Sequence, residues 1–201
     1  MSRSAAINKV KSSLVPNTTL AYFYCNAGDM EQHTVEAAIA SLATQLHLNL
    51  KQPVPDSVQE LYERARQSGN DRHRPNLKTL CDILQLLHPC YLSVTYIIDG
   101  LDECSVDERG CLLDVLLRLL QHDTTPPKLL LTSRNKDDIA TKLSRYPQIV
   151  VDVTKNSADI RNFVKTELSQ AIAQRRLLQG QVTNELFLDI ENRLTEDACG
   201  M

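Results

Sequence analysis

None of the six glycines in this 201-residue chain precedes a lysine. A phosphate-cradling loop of the Gly-x-x-x-x-Gly-Lys-Ser/Thr type, which needs close backbone N–H groups and a lysine, is therefore not written in these residues. No stretch approaches 18 consecutive apolar residues, and Met1-Ser-Arg-Ser-Ala-Ala-Ile carries no apolar run of signal-peptide length. Both absences point to a soluble cytoplasmic protein with no membrane partner. The six cysteines (25, 81, 90, 104, 111 and 199) include no Cys-x-x-Cys pair and fall in or beside apolar segments. That favours buried free thiols in a reducing compartment over a zinc site or a disulfide framework. Internal repeats and low-complexity tracts are also absent. What remains is ordinary for one globular domain with a real core: 42% hydrophobic and 23% charged residues. The net charge of −3 argues against general nucleic-acid binding.

The most informative stretch is Tyr91-Leu-Ser-Val-Thr-Tyr-Ile-Ile-Asp-Gly-Leu-Asp-Glu-Cys104. Its first eight residues are apolar or β-branched nearly throughout, without period-2 alternation, which suits a parallel strand covered on both faces. The run stops on Asp99, and Gly100, Asp102 and Glu103 follow. A carboxylate at the C-terminal tip of a buried parallel strand faces the crevice where α/β proteins bind ligands. Asp99 there suits a hydrated Mg²⁺, and Asp102 or Glu103 suits the orientation or deprotonation of a water. The plainer alternative is a strand that ends in an acidic, glycine-containing turn.

Around this stretch the pattern alternates. Residues 4–14 read as a helix with Ala6, Ile7, Val10 and Leu14 on one side, followed by a strand over Thr19–Cys25 and a turn over Asn26–Asp29. Thr34 caps a helix to about Leu48. Another helix is expected from Ser57, whose spacing to Glu60 is that of a capping box, with Val58, Leu61, Tyr62 and Ala65 inward. Arg72, His73 and Arg74 lie in a polar loop and read as solvated surface rather than as a phosphate or RNA contact. Asn76 caps a helix that Pro89 closes. Ser105 and Glu108 repeat the capping-box spacing before a leucine-rich helix to about Gln121, apolar on more than one face. A strand over Lys128–Ser133 ends at Arg134. A helix over Asp137–Tyr146, a strand over Gln148–Val153, a helix from Asn156 or Ser157 and a last helix with Leu186, Ile190 and Leu194 complete the chain.

Hydrophobic strand, Asp, Gly, Leu, Asp, Glu resembles the Walker B segment of NACHT-type NTPases in the STAND class of signalling ATPases. With Ala21-Tyr-Phe-Tyr-Cys25 upstream and Leu131-Thr-Ser-Arg134 downstream, the chain is similar to the nephrocystin-like N-terminal NACHT modules of fungal ankyrin- or WD-repeat receptors. Each motif alone is weak, but the three stand in the right order over nearly the whole chain.

The resemblance implies a three-layer α/β fold with a parallel sheet of order 5-1-4-3-2, in which strand 1 is absent here. It implies residues 1–16 as the remnant of the helix after the phosphate loop, 17–180 as a truncated NTPase core and 181–201 as the start of a helical region. Asp99 would be the Mg²⁺-water ligand, Asp102 and Glu103 the water-positioning acids, and Arg134 the sensor of the terminal phosphate of ATP. Ser2 lies about where the family's magnesium-binding Ser/Thr is expected, and Met1 where its lysine is. A structural pairing of Arg134 with Asp99 or Asp102 is the alternative for that residue. Binding of Mg²⁺ and ATP is expected to be weak or absent in this chain, and protein partners or self-association are expected. The competing function is a nucleotide-free interaction module, or decoy, that associates with full-length relatives. The plainest alternative is an incomplete gene model with no independent function.

Overall fold

The computed structural model describes residues 5–26, 34–67, 75–121, 127–150 and 157–199. The chain divides into two compact units, 1–143 and 144–201. The first is an α/β unit: α1 (Ala5–Ser12), β1 (Thr18–Tyr24), α2 (Val35–Asn49), α3 (Asp56–Gln67), α4 (Leu77–Leu87), β2 (Ser93–Asp99), α5 (Val106–Leu119), β3 (Lys128–Leu131) and α6 (Asp137–Lys142). Its three strands form a parallel sheet of order β1-β2-β3. Tyr24 lies opposite Asp99, and Ile98 opposite Leu131.

The apolar run of β2 takes the central place because only a strand flanked on both edges and covered on both faces can bury so continuous a sequence. Val94, Tyr96 and Ile98 point into the main core with Ala21 of β1, Ile39 and Leu42 of α2, Leu84 of α4 and Leu112 and Leu116 of α5. Ile97 faces the other way and packs with Leu20 and with Ile7 of α1. The leucine-rich α5 is deeply packed, as its two-sided pattern predicts, with Leu112, Leu113, Val115, Leu116 and Leu119 buried.

Helix starts follow side-chain chemistry at α2 and α4. The Thr34 hydroxyl accepts from the Ala37 N–H at 3.2 Å, and Asn76 Oδ1 accepts from the Thr79 N–H at 2.9 Å. The two predicted capping boxes do not close. α3 starts one residue early, at Asp56, with the Val58 N–H donating to the Pro55 carbonyl at 2.9 Å. Glu60 instead pairs with Arg64 one turn on, at 3.1 Å, and Tyr62 is half exposed rather than inward. At α5, Ser105 Oγ does accept from the Glu108 N–H at 3.3 Å. The Glu108 carboxylate, however, reaches across to the Val35 N–H at the start of α2, 2.6 Å away. An unsatisfied N–H at another helix's first turn outcompetes the local one.

The second unit contains α7 (Ser157–Ala173), a 3-10 turn (Leu178–Gly180) and α8 (Asn184–Cys199). The strand expected over Gln148–Val153 is not formed in its described half: residues 147–150 have no regular structure, and Ile149 is 92% exposed. An apolar β-branched run supports a strand only where a neighbour pairs with it. Residues 151–153, the turn over 27–29 and the basic loop at 72–74 lie outside the described residues. Among the described residues no helix is long and apolar enough to cross a membrane.

Candidate functional site

The acidic turn sits at the C-terminal ends of all three strands. Its shape begins with Gly100, which has φ +75°. A Cβ there would meet the Cys25 carbonyl oxygen at 3.2 Å, in a backbone conformation that only glycine adopts without strain. This left-handed step lets β2 turn into a short 3-10 helix, Leu101–Glu103. Three backbone hydrogen bonds fix the turn to its neighbours. Cys25 N donates to Asp99 O, Leu101 N to Thr132 O and Thr132 N to Ile98 O, each at 2.9 Å.

Asp99 ends β2, and its carboxylate Oδ1 accepts from the Thr132 hydroxyl. The same hydroxyl oxygen accepts from the Gly100 N–H at 3.0 Å. Thr132 thus bridges the strand end and the turn. Asp102 lies in the 3-10 turn with a nearly buried side chain, 7% exposed, and both its oxygens are engaged by one residue. Oδ1 accepts from the Arg134 backbone N–H at 2.9 Å, and Oδ2 pairs with Arg134 Nε at 3.0 Å. The Arg134 side chain is 78% exposed, so solvent screens the pair from that side. The backbone bond does more to place Asp102. Glu103 is exposed, and its carboxylate lies near Gly100. The structure therefore brings Asp99, Asp102, Glu103 and Arg134 to one end of the sheet; Ser2 lies outside the described residues.

Arg109 has no part in the sequence reading. It is buried. Nε and Nη2 make a forked pair with Asp138 of α6 at 2.7 and 2.8 Å. Nη1 donates to the carbonyls of Cys104 at 3.1 Å and Asp102 at 3.5 Å. The guanidinium suits this because its planar fork meets a carboxylate on one side and keeps donors for the turn on the other. Arg109's hydrogen bond to Asp138 holds that carboxyl below the usual carboxylate range. Only the Asp-rich start of α6, within reach of an arginine, hints at this in the sequence. Thr132 stands inside the noted Leu131–Arg134 motif, but nothing in its type announces the bridge.

The chain matches the family model "Nephrocystin 3, N-terminal" over residues 1–134. It belongs to that family. The match takes in every element from α1 to β3 and ends on Arg134, so the acidic turn and the arginine both fall within it. Among curated proteins none matches the chain.

Magnesium asks for oxygen ligands in octahedral array and usually keeps several waters, taking one or two carboxylates together with substrate phosphates. The donor set here fits that demand and no larger one. Asp99 supplies a carboxylate beside a hydroxyl, and among the described residues no group of three or more acidic, histidine or cysteine side chains forms an all-protein cage.

Proposed function

We propose that this nephrocystin 3 N-terminal chain carries the acid-and-sensor half of a nucleotide-dependent switch of the NACHT type within the STAND signalling ATPases. In this reading Asp99 is the carboxylate that holds Mg²⁺ through water. Mg²⁺ would supply charge neutralisation for the phosphates of ATP. Asp102 and Glu103 orient the attacking water, and Arg134 meets the terminal phosphate with a permanent, forked charge. Ser2, expected as a Mg²⁺ contact beside the phosphates, belongs to the same reading. The single observation that supports it is the gathering of Asp99, Asp102, Glu103 and Arg134 at the C-terminal ends of the neighbouring parallel strands β2 and β3; the Asp102–Arg134 contact itself is also what the purely structural pairing gives. The Arg134 side chain is exposed, so its guanidinium can turn from Asp102 toward a phosphate while Asp102 Oδ1 keeps the Arg134 backbone N–H.

Phosphoryl transfer depends chiefly on positioning and on charge stabilisation. The 201 residues contain no glycine-rich lysine loop to position the β- and γ-phosphates. The expected outcome is therefore specific. In a phosphate-release assay this chain turns over ATP no faster than its Asp99→Asn variant. The same chain placed behind a Gly-x-x-x-x-Gly-Lys-Ser/Thr segment from a family member binds Mg·ATP, and Asp99→Asn weakens that binding at least tenfold. Equal binding by the extended chain and its Asp99→Asn variant sinks the proposal.

A second reading, an interaction module that associates with full-length relatives without nucleotide, draws support from one feature. Among the described residues β3 has a strand on one edge only. Its Leu130 is 41% exposed, and an apolar open edge is a template for another chain.

A further inference from the structure

Arg109 is a buried charge to which the nucleotide reading gives no task. It joins two places far apart in the chain. Nη1 reaches the carbonyls of Cys104 at 3.1 Å and Asp102 at 3.5 Å, in the acidic turn. Nε and Nη2 fork onto Asp138 at the start of α6, at 2.7 and 2.8 Å. α6 is the next helix after β3, and the connection between them meets the turn as well. There Leu101 N donates to Thr132 O, and the Arg134 N–H to Asp102 Oδ1, each at 2.9 Å. A guanidinium only 7% exposed needs a carboxylate or water for its charge. The Asp138 side chain is 41% exposed, so without that carboxylate the arginine would turn toward solvent there and leave the two carbonyls. Holding α6 in place is a separate task, which Lys142 performs by pairing with Asp114 and donating to the Gly110 carbonyl, both at 2.7 Å.

We propose that Arg109 and Asp138 are positioning residues for the acidic turn: the start of α6, acting through one guanidinium, sets where Asp102 and Glu103 stand against Arg134. The fork is what makes this work. A planar guanidinium keeps its angle to the carboxylate while its remaining arm bonds the turn, so a shift of Asp138 is passed to the carbonyls of Asp102 and Cys104. A lysine, with a compact charge on a flexible stem, would hold the carboxylate without that register. The solvent-facing Asp138 is then the point from which the turn can be adjusted. That this adjusts a water-orienting pair of acids rests on the nucleotide reading; the dependence of the turn on Asp138 does not, and it holds in the chain without nucleotide.

The test is amide hydrogen exchange, read by NMR on the 201-residue chain without nucleotide. In Asp138→Ala the Arg134 and Cys104 amides are expected to exchange about tenfold faster, the scale of one lost hydrogen bond. Amides of the β1–β2 ladder should stay within about twofold of the wild type, because that ladder opens separately from the turn. The Arg134 amide proton should also leave the downfield position of an N–H that donates to a carboxylate. Adding Asp138→Ala to Arg109→Met should change neither readout further, since the carboxylate acts only through the guanidinium. Four outcomes overturn the proposal: faster exchange confined to α6, at Ala140 and Leu143; an equal rise in turn and ladder, the mark of lost global stability; a turn unchanged by Asp138→Ala; or a further effect of Asp138→Ala in Arg109→Met. None of them bears on nucleotide binding, so a failure here is distinct from failure of the ATP reading, which its own binding assay decides.

Discussion

The two edges of the sheet are finished differently. On the outer edge of β1 the side-chain amide of Gln45, from α2, stands in for a missing strand. Its Nε2 donates to the Tyr22 carbonyl at 2.7 Å, and its Oε1 accepts from the Tyr22 N–H at 3.1 Å. Asn49, one turn on, donates to the Thr19 hydroxyl at 3.1 Å. An amide carries one donor and one acceptor at the spacing of a peptide group, so it satisfies both backbone groups that an edge strand leaves open. On β3 no such plug exists among the described residues. Past its end, Thr132 ties the chain to the turn, and the following α6 is fixed to α5 by Asp138 on Arg109 and by Lys142, which pairs with Asp114 at 2.7 Å and donates to the Gly110 carbonyl at the same distance. The β1 edge is closed by α2, whereas among the described residues no strand or side-chain amide covers the outer edge of β3.

The ties behind β3 offer the largest effect. Arg109→Met keeps much of the side chain's volume but removes the donors to two carbonyls of the turn, Cys104 and Asp102. Buried acceptors left unpaired cost on the order of 1–3 kcal/mol, so we expect the variant to lose about 2 kcal/mol in urea unfolding with an unchanged slope. Its pH dependence should change as well. Asp138 has a lowered carboxyl pKa in the folded chain. Its contribution is therefore complete above the unfolded value of about 3.9, and it is lost as the pH falls through the lower folded value. The wild type should weaken over that acid range more steeply than Arg109→Met. Parallel acid limbs in the two proteins would show that the forked pair contributes no linkage.

At the other edge, Gln45→Ala unplugs Tyr22. Two hydrogen bonds to a partly buried backbone are lost, and water replaces part of them. The expected cost is about 1–2 kcal/mol, with faster amide exchange at Tyr22 than at the neighbouring positions that bond to β2. Protection at Tyr22 that survives the substitution would mean that α2 covers this edge by packing alone.

How much of this was legible in the sequence depends on how far each interaction reaches. The continuous apolar run of β2, the stop at Asp99 and the caps at Thr34 and Asn76 are local patterns, and the structure follows them. Arg109, Glu108 and Gln45 were not legible, because their partners lie 29, 73 and 23 residues away. On a leucine-rich helix an arginine reads as a solvent-facing residue. Only the placement of β3 and α6 turns it inward. In its described half the Gln148–Val153 run departs for the opposite reason: its local pattern favours a strand, and residues 148–150 take no strand form. Asp99, Asp102, Glu103 and Arg134 came together because a parallel sheet gathers the ends of its strands. Alternating strands and helices are enough to announce a parallel sheet.

The smallest expected effect on stability is also the sharpest test of the open edge. Leu130 lies opposite Ile97 in the β2–β3 register and alternates with the inward-facing Leu129 and Leu131. Nearly half exposed, it contributes little to the fold, so Leu130→Lys should change unfolding free energy by no more than about 0.5 kcal/mol. Its effect on association should be much larger. A lysine on an edge strand blocks pairing because a second chain would have to bury its charge against the sheet. If β3 is where this chain meets relatives or a second copy of itself, light scattering after sizing chromatography should show wild-type mass rising with concentration. The Leu130→Lys variant should stay at 22.6 kDa. Gln45→Ala, on the edge already closed by α2, separates the alternatives. Association that responds to Gln45→Ala but not to Leu130→Lys would place the contact at β1 and reverse the comparison. Wild-type chain that remains monomeric throughout would remove the support that the open edge lends to an interaction module. The acidic turn and its arginine would then carry the functional reading alone.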